Sequence, residues 1–327
     1  MNKTLREAVR DALAEEMRRD PRVFLLGEDI GAYGGTLQAT SGLWGEFGGD
    51  RVIDTPLSEV AITGAAIGAA MMGMRPVLEI MFSDFIPLAL DQILNNAAKM
   101  CYSYDGEMSV PMVLRAPFGG GMRSGMHHCQ NLEALFAHIP GIKVVMPTTP
   151  EDAKGLMLSS IRDPNPVIFL EHKMLYGIRG DIPEVEYTTP IGKAAIRKEG
   201  GDISIVACGA MVPKSLKAAD ELAKSGIDAE VVDLRSIRPL DKETIVQSVR
   251  KTNRLLIVHE ACKTGGIGGE IAAIVAAEAI DALDAPIERV TAPDTPVPFS
   301  PTLEDYFIPQ AWQITERAKN MFGKKYL

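Results

Sequence analysis

Short apolar runs alternate with amphipathic stretches along most of the chain. VFLLG (23–27), PVLEI (76–80), PMVLRA (111–116), KVVMP (143–147) and PVIFLEH (166–172) are apolar runs of strand length, set off by Gly, Pro or charged residues. Residues 58–74, 84–101 and 150–162 between them carry helical spacing. Strands that are apolar on both faces belong to a parallel sheet covered by helices on each side. The first twenty residues predict a helix of their own. Thr4 and Glu7 fit a capping box, and Leu5, Ala8, Val9, Ala12 and Leu13 recur at helical spacing.

Residues 173–201 interrupt the alternation with prolines, glycines and charges, and predict at most one or two strands. The pattern then restarts. ISIVACG (203–209), AEVVDLRSI (229–237), RLLIVHE (254–260) and IERVTAP (287–293) read as strands, with helical stretches between them. The expected fold is α/β, with two doubly wound, mostly parallel-sheet domains. The expected boundaries are a first domain over 1–178, a linker over 179–200 and a second domain over 201–327. A chain of 327 residues is long enough for two domains.

Composition narrows the classes. Asp and Glu number 43 against 34 Lys and Arg, which speaks against a nucleic-acid binder. The four cysteines, Cys101, Cys129, Cys208 and Cys262, form no Cys-x-x-Cys pair, so a zinc or disulfide framework is not expected. VAITGAAIGAAMMGM (60–74) is shorter than the ~20 residues of a membrane span and reads as a buried helix. The charged N-terminal stretch is unlike a signal peptide. The expectation is a cytoplasmic protein, or one of an organelle matrix after processing, with no nucleic-acid or membrane partner.

Four stretches carry candidate chemistry. In DTPLSEVAITG, Ser58 is placed as the N-cap and Glu59 falls in the first turn of an apolar helix. Glu59 either complements the helix dipole, the plainer reading, or is drawn into an apolar setting that suits it to proton exchange. Gly64 and Gly68, with Ala65 and Ala69, give a small-residue face for close approach of a helix or a subunit. In RAPFGGGMRSGMHHCQ, a glycine-rich run follows a strand and leads to His127 and His128. Strand carboxyl ends are where open α/β sheets place ligands, yet a solvated loop histidine is the plainer reading. The glycine spacing fits neither a Walker loop nor the dinucleotide fingerprint. TGGIGGE (264–270) also misses that fingerprint, because Ile271 stands where glycine is needed; it predicts a tight strand-to-helix turn. RDPNPV (162–167) offers Asp163, Asn165 and carbonyls to a hard cation, or is simply a turn.

Read together, GEDIG (27–31), DTPLSEVAITGAAIGAAMMGMRPVLEI (54–80), DFIPLALDQILNNAAK (84–99), HHCQNLEALFAHIPGIKVVMPTTPEDAKGL (127–156), IRDPNPVIFLEHKMLYG (161–177) and LRSIRPLD (234–241) resemble the beta subunits of the thiamine-diphosphate-dependent 2-oxo acid dehydrogenases. That family includes the pyruvate, acetoin and branched-chain enzymes. The resemblance runs nearly end to end. It implies a transketolase-type pyrimidine-binding domain followed by a transketolase C-terminal-type domain.

It further implies that Glu59 bonds the aminopyrimidine of thiamine diphosphate and so promotes formation of the reactive ylid. Leu57, Phe85 and Leu88 fall at cofactor-side positions. His128 falls on the histidine that helps transfer the acyl group to a lipoyl arm. Met112, Ser160, Ile161, Asp163 and Asn165 fall on a structural potassium site of relatives. Two residues depart from the pattern: Cys129 replaces a serine, and Leu88 stands where pyruvate-type relatives often carry glutamine. The chain has no Gly-Asp-Gly segment for magnesium and diphosphate. The resemblance therefore implies an alpha subunit, in an α2β2 heterotetramer, that holds the magnesium, and docking to a lipoyl acyltransferase. The expected reaction is oxidative decarboxylation of pyruvate or turnover of acetoin. A branched-chain 2-oxo acid enzyme, a non-catalytic scaffold subunit and a nicotinamide-dependent dehydrogenase using TGGIGGE are the alternatives.

Overall fold

The structure, a computed structural model, describes residues 1–323 and divides into two compact units. The first comprises Met1–Phe118 and Leu135–Ile191, the second Gly119–Ala134 and Gly192–Leu327.

The first unit opens with a short strand β1 (Asn2–Thr4) and helix α1 (Leu5–Arg19). The capping box is formed: the Thr4 hydroxyl accepts the Glu7 N–H, and the Glu7 carboxylate accepts the Thr4 N–H. Leu5, Val9 and Leu13 on the inner face of α1 are fully buried, each worth about 1.5–3 kcal/mol. Next come β2 (Val23–Gly27), α2 (Leu43–Phe47), β3 (Val52–Asp54), α3 (Glu59–Met71) and β4 (Arg75–Glu79). After them come α4 (Met100–Ser103), β5 (Val113–Phe118), α5 (Glu133–Ala137, which straddles the two units), β6 (Lys143–Val145), α6 (Pro150–Arg162), β7 (Val167–His172) and β8 (Arg179–Asp181). Six strands form a parallel sheet in the order β6-β7-β5-β4-β2-β3. Beside it, β1 pairs antiparallel with β8.

The chain leaves β2 towards β3 on one side, and leaves β4 towards β5 on the other. The carboxyl ends of β2 and β4 therefore flank the switch point, where such sheets open a crevice.

One expected helix is not continuous. Residues 83–103 fold as a 3-10 turn (Ser83–Ala89), a π-turn (Gln92–Ala97) and α4. Pro87 lies inside the first turn and offers no N–H to a helical ladder there.

The second unit carries β9 (Ala195–Lys198), β10 (Ile203–Ala207), α7 (Met211–Ala223), β11 (Ala229–Asp233), β12 (Ser236–Arg238), α8 (Lys242–Thr252), β13 (Leu255–Cys262), α9 (Ile267–Glu278), β14 (Glu288–Ala292), α10 (Pro301–Phe307) and α11 (Ala311–Gly323). Its sheet runs β14-β13-β10-β11-β9, parallel except for β9 at the edge. The switch point lies between β10 and β13. Two segments expected as connection are strands with partners: β8 pairs with β1, and β9 pairs with β11.

Candidate functional site

The carboxyl edge of the first sheet gathers carboxylates. Glu28 follows β2 directly and is buried; its Oε1 has no hydrogen-bond partner among the described residues. Burial first, and the neighbouring charge of Glu59 second, push the Glu28 carboxyl above the usual carboxylate range. Glu59 itself is half-buried at the first position of α3. Ser58 occupies the N-cap position as expected, but its side chain does not cap: the hydroxyl donates to the Pro56 carbonyl at 3.1 Å. Glu59 is thus left as the acidic group at that helix start.

Apolar side chains just before α3 and on the turn it packs against have little cover. Leu57 is 73% exposed and Leu88 58%, which leaves their apolar faces open to a ligand. Phe85 lies in the Ser83–Ala89 turn against which α3 packs, edge-on to Phe82 with ring centroids 6.4 Å apart. Leu57, Glu59, Phe85 and Leu88 are therefore brought to one region of the first unit. A carboxyl group flanked by exposed apolar side chains, with a partnerless carboxyl oxygen behind it, fits a flat ring that is apolar on its faces and carries a polar nitrogen.

Behind this edge lies a buried charge network that sequence reasoning missed. Arg115 binds Glu171 through two bonds of 2.8 Å and pairs with Glu79, while the Tyr176 hydroxyl donates to Glu171 at 2.8 Å. All four residues are buried. One guanidinium between two carboxylates fixes the ends of β4, β5 and β7 in register.

The cation candidates sit at the other edge. Met112 precedes β5, and Asp163 and Asn165 precede β7, so they lie at the amino ends of strands whose carboxyl ends face Glu28. Their oxygens are engaged. Arg75 Nη1 donates to the carbonyls of Ile161 at 2.6 Å and Asp163 at 3.2 Å. The Asp163 carboxylate pairs with Lys143 and accepts the Asn165 N–H at 2.9 Å. The Ser160 hydroxyl donates to the Leu156 carbonyl at 2.6 Å, and the Met112 carbonyl accepts the Val167 N–H at 3.0 Å. A metal cation here would face two protein cations already on its ligands. As placed, these residues do not fit the potassium site that the resemblance implies.

The histidine segment, Gly119–Ala134, packs as part of the second unit. Its two histidines differ: His127 is exposed, His128 half-buried with its N–H toward the Gly125 carbonyl at 3.4 Å, and Cys129 fully buried. The segment lies at the carboxyl edge of the second sheet. Glu260, near the end of β13, accepts the Gly120 N–H at 2.6 Å and Asn131 Nδ2 at 3.3 Å. Glu304 on α10 accepts the Gly121 N–H at 2.8 Å and the Arg123 N–H at 3.2 Å. A cavity of about 560 Å³ opens beside it, lined by Met126, Asn131, Glu260, Cys262, Asp294 and Phe307 among others. Glu133 is buried, its Oε2 has no hydrogen-bond partner among the described residues, and burial, then the nearby Glu260 charge, push its carboxyl up to about 7.

TGGIGGE forms the expected tight turn between β13 and α9. Its glycines make room for His259. A side chain at Gly266 would place its β-carbon 2.6 Å from His259 Cε1, and one at Gly268 would stand 2.8 Å from Nε2. Burial first, and Arg289 second, lower the His259 pKa to about 4, so a neutral imidazole underlies the turn.

Two mostly parallel sheets in two units, with acidic groups at the first switch point, make this a two-domain α/β chain, and comparison with known families identifies it as transketolase type. Residues 2–179 match the transketolase pyrimidine binding domain and residues 192–314 the transketolase C-terminal domain. A split-gene transketolase, described as an inactive beta4 tetramer, shares the fold with a TM-score of 0.79 at 24% identity, covering 98% of each chain. The beta subunit of acetoin:2,6-dichlorophenolindophenol oxidoreductase of Cupriavidus necator is 51% identical, over 99% of this chain and 98% of its own. The 2-oxoisovalerate dehydrogenase subunit beta of Bacillus subtilis is 50% identical, over 92% and 93%. The pyruvate dehydrogenase E1 component subunit beta of the same organism is 49% identical, over 97% and 98%. The chain belongs to the family of beta subunits of the thiamine-diphosphate-dependent 2-oxo acid and acetoin dehydrogenases.

Proposed function

We propose that the chain works with an alpha subunit, in an α2β2 enzyme, to cleave pyruvate or acetoin oxidatively and pass the acyl group to a lipoyl arm. The single observation that carries the reading is Glu59 at the start of α3, with Glu28 buried behind it and Leu57 and Leu88 exposed beside it. Glu59 would hold the ring nitrogen of the aminopyrimidine, and Leu57, Phe85 and Leu88 would pack on its faces. When bound, thiamine diphosphate supplies the electron sink for breaking the bond next to the carbonyl. Glu59 would move a proton at the ring nitrogen, and the apolar side chains would keep water off it. His128, half-buried on its segment, donates a proton during acyl transfer.

Magnesium and the diphosphate fall to the alpha subunit, since the sequence has no Gly-Asp-Gly. The exposed side of α3, with Val60, Ala61, Ala65, Gly68 and Met71, suits a closely approaching subunit. Among the described residues no helix is long and apolar enough to cross a membrane. We place the enzyme in the cytoplasm or an organelle matrix. A branched-chain substrate is the second reading, favoured by the 50% identity to the 2-oxoisovalerate subunit.

Reconstitution tests the proposal. The chain is combined with its alpha subunit, thiamine diphosphate and magnesium, and turnover is measured on pyruvate, acetoin and branched 2-oxo acids. Activity is expected only with both subunits; full turnover by this chain alone refutes the two-subunit reading. Separately, Glu59→Gln is expected to cost about a hundredfold or more in rate.

A further inference from the structure

The histidine segment occupies the place where a doubly wound domain usually receives a ligand. Glu260 stands near the end of β13, one of the two strands flanking the second switch point. What it receives is the chain's own backbone, the Gly120 N–H at 2.6 Å. Glu304, 0% exposed, takes the next donors, the N–H groups of Gly121 and Arg123. Gly120 is boxed in: a β-carbon there would stand 2.9 Å from Ile308 Cδ1 and 3.4 Å from an oxygen of Glu260 and of Glu304.

Arg123 shows how firmly this backbone is held. It is not glycine, yet its φ is +59°. A left-handed residue with a side chain persists only where its surroundings over-determine it. Here Arg123 Nη1 donates to Glu304 Oε2 at 2.8 Å and to the Pro301 carbonyl at 2.9 Å, and Nη2 donates to Asp305 at 2.7 Å. Gly125, two residues before the histidines, also has positive φ and leaves room for the Phe299 ring, which a β-carbon would meet at 2.4 Å. Buried carboxylates accepting several N–H groups make short, charge-assisted bonds with little freedom to reorganise. The interval from Gly120 to Asn131 is therefore pinned at both ends, and His128 lies inside it.

We propose that Glu260 and Glu304 are positioning residues for His128: they bind no substrate, and they set the backbone from which the imidazole acts. The proposal rests on the reading of His128 as the acyl-transfer group, and its test separates the two.

The assembled enzyme is prepared as wild type, His128→Ala, Glu304→Ala and the double variant. Deuterium uptake is followed for the peptide covering residues 119–130, together with lipoyl acylation and decarboxylation with an artificial acceptor. In Glu304→Ala, exchange in that peptide is expected to rise about tenfold while β10 and β13 stay protected. Lipoyl acylation should fall about tenfold or more, with the artificial-acceptor rate falling no further than in His128→Ala. The double variant should be no slower in acylation than His128→Ala. Unchanged exchange over 119–130, or losses that multiply in the double variant, overturns the proposal. If His128→Ala slows both assays equally, the acyl-transfer role of His128 fails, and the exchange result alone decides the anchoring. Should Glu304→Ala not fold, Glu304→Gln serves. It keeps one acceptor but loses the charge, so exchange at Arg123 is expected to rise about threefold; wild-type exchange there refutes the assignment.

Discussion

Glu28 and Glu59 stand as neighbouring carboxyl groups at the switch point of the first sheet, and the charge of Glu59 helps keep a proton on buried Glu28. Burial is the larger cause of the raised Glu28 value and the Glu59 charge the second. Glu28→Gln keeps the shape of the side chain but cannot ionise, so the kcat/KM profile against pH is expected to change on its acid side. A variant profile that overlays wild type excludes a part for the Glu28 ionisation.

The buried Glu133 gives a pH dependence of stability with a definite sign. Its carboxyl has an ordinary value of 4.5 and is raised to about 7 in the folded chain, so between those values the folded form keeps a proton that the unfolded form has lost. Stability therefore declines as pH rises through that window, by at most about 3 kcal/mol at 1.36 kcal/mol per unit, and changes no further above it. Glu133→Gln cannot ionise and should flatten this slope and melt higher than wild type at pH ~8. Thermal melts of the assembled enzyme at pH ~5 and ~8 check it; an unaltered slope removes Glu133 as the cause.

Arg115 should be the most costly single truncation in the first unit. Arg115→Met leaves Glu79 and Glu171 buried without their cation and is expected to destabilise by about 3–5 kcal/mol. Replacing Glu79 and Glu171 with leucine in the same protein should recover much of that loss, because the unpaired charges go with them. Denaturant unfolding of the three proteins distinguishes lost pairing from lost packing; no recovery in the triple variant argues for packing.

The glycine turn is expected to resist even a methyl group. Gly268→Ala brings a β-carbon to 2.8 Å from His259 Nε2 and should cost about 1–3 kcal/mol. In a His259→Ala background that penalty should mostly vanish. If the alanine variant unfolds with wild type, the fit between His259 and the turn is looser than described.

Much of this fold is written locally. The capping box of Thr4 and Glu7, the apolar strand runs and the turn at TGGIGGE depend on neighbours a few residues apart, and each forms as its spacing indicates. Pro87 shows the limit of periodicity, since the stretch around it has helical spacing but is not one helix, and Pro87 offers no N–H to a ladder there. The one or two strands allowed between 173 and 201 are β8 and β9, but the partner of β9, β11, is more than thirty residues on and could not be read from spacing. The site divides in the same way. Glu59 and His128 are singled out by the resemblance, since the residues beside each also allow a plainer reading. The supports of His128 are not singled out, because Glu260 and Glu304 lie 140 and 183 residues from the N–H groups they accept. Nor does spacing reveal that Arg75 claims the carbonyls of Ile161 and Asp163, 86 and 88 residues away.

Residues 119–134 leave the first unit after Phe118 and return to it at Leu135. A C-terminal fragment cut at Gly192 would therefore be an incomplete body. Glu260 and Glu304 would remain in its interior with their donors deleted, a direct cost to folding. The two halves of this chain are not interchangeable cassettes. A chimera between relatives must take positions 119–134 from the same parent as the C-terminal half.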